Sequence, residues 1–246
     1  MKNGEKSFGK LFVLLELVAR SQAGLSGKEL AEAAEIPQST TFRILKFLTG
    51  KGYLRSDKGI YTLGLGFVRL GNVACMQNPL IKVSRPLLTE LSLQTQETAH
   101  LATLQHGKII YVDKVEGSRL IRMGSLIGKS GPLHCTSVGK VILAFQEEKT
   151  QEKLLEQIDY KAFTQHTITG ADALRKELKQ IRTQGYAIDN CEHEDWIFCI
   201  AAPIFNGSGE CVAGISLSGA EMYMQNRRQQ LAGLLLAAAR QISAEL

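Results

Sequence analysis

The five cysteines of this 246-residue chain, at positions 75, 135, 191, 199 and 211, form no CxxC pair and are odd in number. That spacing argues against a disulfide framework and for reduced thiols in the cytoplasm. Long apolar runs are missing too. The longest uncharged stretch, Trp196 to Gly209, is too short and too glycine-rich to span a bilayer, so no membrane partner is expected. Near the N-terminus, Lys2, Glu5, Lys6 and Lys10 precede an apolar run interrupted by Glu16, and no Ala-x-Ala-like site follows, so no secretory signal is expected. Internal repeats and low-complexity segments are absent. With 44% hydrophobic and 22% charged residues, disorder is excluded as well.

The net charge of +5 is unevenly placed. Residues 1–75 hold 11 Lys/Arg against 6 Asp/Glu, whereas residues 76–246 hold 18 of each and all five histidines. A basic small module joined to a neutral larger one implies a polyanion partner at one end only.

Within the basic module, Leu11, Phe12, Leu14, Leu15, Val18 and Ala19 recur at helical spacing and predict an amphipathic helix of about four turns. Ser26-Gly27-Lys28-Glu29 is a capping box that starts a short helix to about Glu35, with Leu30, Ala31 and Ala34 inward. Ile36-Pro37 opens a third helix. Phe42, Leu45 and Leu48 are expected on its inner side and Ser39, Arg43 and Lys46 on the outer. Tyr53–Arg55, the turn Ser56 to Gly59 and Ile60–Leu63 read as a hairpin with a basic tip. Two short helices and a hairpin of this kind make a winged helix-turn-helix, mostly α, over residues 1–66. Its expected partner is double-stranded DNA. Arg43 can donate two bonds to a guanine edge, while Ser26, Gln38, Ser39, Thr40, Thr41, Lys46, Arg55 and Lys58 can reach phosphates or bases. A three-helix interaction domain with a merely solvated charged face is the alternative.

Gln38-Ser39-Thr40-Thr41-Phe42-Arg43-Ile44-Leu45, then Gly52-Tyr53-Leu54 and Tyr61-Thr62-Leu63-Gly64, resemble the DNA-binding domain of the IclR family of bacterial transcription regulators. Gln38 stands where that family usually has lysine. The resemblance implies that the helix expected from Leu65 to about Gln77 is a linker helix, residues 67–78, and that residues 79–246 form an effector-binding domain, GAF-like in fold.

The larger part reads independently as α+β with a mainly antiparallel sheet. Pro79–Gln96 is an amphipathic helix, with Leu80, Val83, Leu87, Leu88 and Leu91 on one face. Thr98–Leu104 and Ile109–Val115 form a hairpin, and Leu120–Gly124 is a third candidate strand. Helices follow at about Thr136–Phe145, Glu152–Gln157 and Thr169–Gln184. Tyr186–Asp189, Ile197–Phe205 and Cys211–Ser218 are strands, and Glu221–Leu246 is one long helix. Pro132-Leu133-His134, Gly139 to Ala144, Gly185 to Asp189, Cys199 to Phe205 and Ala213 to Ser218 are similar to the same family's effector-domain motifs. Tyr160-Lys161 and Thr167-Ile168-Thr169 resemble its branch that senses 2-keto-3-deoxygluconate.

A small-anion site is the chemistry these residues suggest. The helix start at Ser137-Val138-Gly139 offers amides and a hydroxyl to a carboxylate. Ser216 and Ser218, two apart on a strand, share a face with each other. Cys199 lies on the partner strand, and Asp189 can accept bonds from ligand hydroxyls. In the family, positions matching Ser137, Val138, Asp189, Cys199, Ser216 and Ser218 contact small keto or hydroxy acids, with Leu120 and Met123 matching apolar wall positions. Relatives commonly carry Gly and Arg where this chain has Trp196 and Phe198, which predicts a bulkier pocket mouth. The resemblance also implies a homodimer, paired into a dimer of dimers, on a pseudo-palindromic operator. A competing reading is an enzyme of small carboxylic acids, with His134-Cys135 as base and nucleophile beside Asp189 or Glu192, or a metal held by Cys191, His193 and Cys199. The spacing lacks a CxxC or HxxxH pair, so no catalytic group, cofactor or metal is expected.

Overall fold

The computed structural model describes residues 3–120 and 122–246, and the chain divides into two compact units that meet between Gln77 and Asn78. The first unit opens with α1 (Asn3–Arg20), longer than the expected four turns. At about 100° per residue, Leu14, Leu15 and Val18 share one face and are buried. Phe12 and Ala19 lie on the other side, contrary to expectation, and Phe12 is 64% exposed. A short strand β1 (Leu25–Ser26) precedes α2 (Gly27–Ala33) and α3 (Gln38–Gly50). The wing is β2 (Leu54–Asp57) and β3 (Ile60–Leu63), joined through Lys58 and Gly59 alone. Their φ angles of 47° and 82° fit a tight two-residue hairpin turn rather than the four-residue turn expected. β1 pairs with β3, giving a three-stranded sheet in the order β1-β3-β2. α4 (Gly66–Gln77) continues unbroken through Gly71 and buries none of its residues.

The second unit begins with α5 (Pro79–Thr95), followed by the hairpin β4 (Thr98–Gln105) and β5 (Lys108–Val115). Leu120–Gly124 forms no strand among its described residues, Ile121 lying outside them; the edge of β5 is paired instead by β6 (Ser130–Gly131). Three helices follow: α6 (Ser137–Ala144), α7 (Glu148–Gln157) and α8 (Ala171–Gln184). β7 (Ala187–Asn190), β8 (Ile197–Phe205) and β9 (Cys211–Ala220) complete a fully antiparallel sheet in the order β6-β5-β4-β9-β8-β7. The single C-terminal helix expected is divided into α9 (Glu221–Met224), a 3₁₀ turn at Gln225–Arg227 and α10 (Arg228–Ala244).

Strand alternation sorts this sheet into two faces. Phe198, Ile200, Ala202 and Ile204 of β8, with Ile215 and Leu217 of β9, pack against α5 and α10. Ala201 and Ala187 face α6 and α8 on the other side. Phe198 is therefore a core residue, 2% exposed, and does not bulk out a pocket on the opposite face as its departure from relatives predicted.

Trp196 is 77% exposed and holds φ 66°, a left-handed backbone that disfavours any side chain. Relief of about 1–2 kcal/mol is partly offset by the extra freedom glycine gains in the unfolded chain. Trp196→Gly should therefore raise stability by up to about 1 kcal/mol in urea unfolding. A loss of more than that amount would mean the indole makes contacts its exposure does not reveal.

Candidate functional site

The first unit presents a basic recognition surface. On α3, Gln38, Ser39, Arg43 and Lys46 are exposed, Thr40 is half-buried, and Arg55 and Lys58 are exposed on the wing. Ser26 forms both bonds of the capping box: its hydroxyl accepts the Glu29 amide at 3.2 Å, and its own amide donates to the Glu29 carboxylate at 2.7 Å. One DNA-contacting candidate is corrected. Thr41 is fully buried, and its hydroxyl donates to the Ile36 carbonyl at 3.5 Å, which satisfies it inside the unit. Phe42, expected inside, is 46% exposed instead.

In the second unit, register builds the floor of a pocket. Asp189 pairs with Cys199, Cys199 with Ser218, and Ser218 with Thr98, so one row crosses β7, β8, β9 and β4. The next row places Ser216 opposite His100. Against this floor stand the N-terminus of α6 and a loop through Met123, Gly124 and Ser125. Together they border a cavity of about 60 Å³, roughly the room of a few water molecules or a short acid. Of the expected ligand contacts, Met123, Ser137, Val138, Asp189, Cys199, Ser216 and Ser218 line this cavity.

Two expected contacts do not. Leu120 is entirely exposed, because the segment that carries it is loop and not strand. Gly139 is a packing residue. Its amide already donates to the Thr136 hydroxyl at 3.1 Å, and a Cβ there would lie 2.7 Å from the Leu133 and Pro132 carbonyls. The α6 amides left for an anion are those of Ser137 and Val138.

Several lining groups escaped the sequence reading. His100 is buried at the centre of β4, its Nε2 2.7 Å from Ser125 Oγ and its Nδ1 3.5 Å from Ser218 Oγ. Burial, aided by the charge of Lys114, pushes its pKa down to about 3, so the ring is neutral, with one donor and one acceptor nitrogen. The period-2 alternation of Thr98, His100 and Ala102 could have revealed it. The Lys114 side chain is 8% exposed; its ammonium donates to the carbonyls of Met123 at 2.9 Å and Ser125 at 2.7 Å and pairs with Glu116 at 2.8 Å. Burial, then the charge of Glu192, raises Asp189 to about 7, although the Glu192 amide at 2.7 Å and the His193 amide at 3.4 Å donate to it. Behind it lies Lys140, fully buried in α6, with its ammonium 2.5 Å from Glu192 and 3.3 Å from Glu177.

The groups considered for catalysis are committed elsewhere. His134 meets the Lys161 carbonyl through Nε2 at 3.0 Å and packs against Tyr160 and Phe163. Burial raises the Cys135 and Cys199 thiols and keeps them protonated, the opposite of an activated nucleophile. Among the described residues, no three His, Cys, Asp or Glu side chains converge as metal ligands.

The comparisons agree over both units. Residues 7–58 match the IclR helix-turn-helix domain, and residues 73–244 match the bacterial transcriptional regulator IclR C-terminal domain. The HTH-type transcriptional regulator KdgR of Escherichia coli is 35% identical over 96% of this chain and 91% of its own. The transcriptional repressor IclR of the same organism is 31% identical over 94% of this chain and 86% of its own. The crystal structure of the Thermotoga maritima IclR superimposes with a TM-score of 0.80 at 31% identity, covering 98% of this chain and 99% of that one. No helix of the described residues is long and apolar enough to cross a membrane. The relatives are named as transcriptional regulators, and with a winged helix in one unit and a pocket lined by serine, histidine and aspartate in the other, this chain belongs to the IclR family of bacterial transcription regulators.

Proposed function

We propose that this regulator is a repressor of a catabolic operon in the cytoplasm, released from its operator by a small carboxylic acid, a keto acid or sugar acid. It binds DNA as a homodimer, assembled further into a dimer of dimers. The observation that carries the reading is the convergence of Ser216, Ser218, His100 and Asp189 beneath the free amides of α6, all lining one cavity. The carboxylate sits on the Ser137 and Val138 amides, and Ser216 and Ser218 donate to it or to a keto oxygen. Effector binding then biases the geometry of the paired winged helices and lowers operator affinity. Thermal shift against a panel of keto and sugar acids tests this directly, because a ligand of the native state raises the melting temperature. Absence of any shift across the panel would remove the carboxylate class, and chemical turnover of a bound acid would restore the enzyme reading.

The state of Asp189 gives the reading a pH signature. Its folded value of about 7 stands above an ordinary carboxylate near about 4. Its contribution to stability is therefore present below that ordinary value and lost as pH rises through about 7. In so small a cavity, an ionised Asp189 also repels a carboxylate ligand. Affinity for the acid should rise as pH falls from about 8 to about 6, by up to about tenfold per unit above the pKa, and Asp189→Asn should flatten the profile. Ser218→Ala should weaken every acid about ten- to hundredfold at any pH. Calorimetry reads both. A flat profile in the unaltered protein would place the carboxylate away from Asp189.

A further inference from the structure

The recognition helix carries an aromatic ring on its outward side that the polar reading of this surface leaves unused. At about 100° per residue, Ser39, Arg43, Lys46 and Gly50 fall within an arc of about 60°. Phe42 borders that arc, three residues after Ser39 and four before Lys46, and is 46% exposed. Its ring is not free to swing away. It rests on Gly27 at the start of α2, so closely that a Cβ there would lie 2.6 Å from a ring atom.

In a helix-turn-helix the second helix meets base edges with its N-terminal part, while the first helix crosses the backbone. Phe42 is the fifth residue of α3 and touches the first residue of α2, which sets the ring between those two contacts. The apolar feature offered by the major-groove edge is the C5 methyl group of thymine. We propose that Phe42 is a specificity-determining residue that reads a thymine methyl in each operator half-site, beside the base read by Arg43. This rests on the DNA-binding reading of α3 and adds to it the class of base preferred at one position. Gly27 belongs to the same device, because any side chain there displaces the ring.

Duplexes selected from a randomised library by the full-length protein provide the probe. Each thymine is then replaced, one at a time, by deoxyuridine, which removes the methyl group and leaves every hydrogen-bonding edge unchanged. The unaltered protein should lose about three- to tenfold in affinity at one symmetry-related position. Phe42→Ala should bind methylated and unmethylated duplexes alike, and Phe42→Leu should retain part of the preference. Equal binding of every deoxyuridine duplex by the unaltered protein overturns the proposal, as does undiminished discrimination by Phe42→Ala. If Phe42→Ala does not fold, the unaltered protein and Phe42→Leu decide the matter. Failure of the selection to yield any preferred sequence would instead bring down the DNA-binding reading itself, a result distinct from insensitivity to the methyl group.

Discussion

Lys140→Met should lower the stability of the protein by about 3–5 kcal/mol, because it leaves a buried carboxylate without its counter-charge. Lys140 is wholly buried among the apolar residues of α6, and its ammonium lies 2.5 Å from Glu192. The other Glu192 oxygen, Oε2, is buried and has no hydrogen-bond partner among the described residues. Burial raises the Glu192 pKa, and Lys140 works against that rise. Without the lysine the carboxyl takes up a proton more readily, so the deficit of the variant should narrow as pH falls from about 7 to about 5. Urea unfolding at several pH values measures this. Lys140→Met combined with Glu192→Leu should recover most of the loss, because the buried ion pair is then gone and the remaining carboxylate, Glu177, is partly exposed to solvent. A cost below about 1 kcal/mol for the single variant would show that the pair is solvated in solution.

Arg43→Ala should abolish sequence-specific DNA binding while leaving weak non-specific association. A bidentate guanidinium contact to a guanine edge discriminates by about 1–3 kcal/mol in each half-site, and the proposed dimer would lose it twice. Lys58, at the tip of the wing, is exposed and at φ 47°. Lys58→Ala should weaken all sequences alike and reduce the slope of log affinity against log salt by about one unit. Titrations of specific and scrambled duplexes across salt separate the two outcomes. Full operator specificity in Arg43→Ala would remove α3 from the major groove, and equal loss of specificity from both would mean the two roles are wrongly assigned.

Local chemistry was the legible part of this sequence. The Ser26–Glu29 box, the two hairpins and strand β8 could be read because each is decided by neighbouring residues. Where distant parts of the chain decide, the reading strayed. Thr41 and Phe42 exchange places because the threonine finds a carbonyl inside the first unit and the phenylalanine finds Gly27 at its rim. Leu120–Gly124 has apolar residues but no partner strand, since β6 takes the edge of β5. The division of the C-terminal helix has no proline behind it. Arg227, in the 3₁₀ turn, lies 3.7 Å from buried Glu97, and Arg119 pairs with the same carboxylate while covering the Tyr223 ring. The pocket divides likewise. Its serines, cysteine and aspartate follow from strand alternation, whereas Gly139 could be judged only once the carbonyls beneath it were placed.

The ammonium of Lys114 spends its contacts on two loop carbonyls and Glu116, while the floor beneath is fixed by four paired strands. The loop is held by side chains, Lys114 and His100, where the floor is held by strand pairing, so under the proposed effector reading its opening should limit the rate at which a bound acid leaves. Dissociation, more than affinity, then sets how long the regulator stays in its effector-bound state after the acid has vanished from its surroundings. Such a lag would filter brief fluctuations of the acid out of the transcriptional response, with its duration set in part by a lysine that need never touch the ligand.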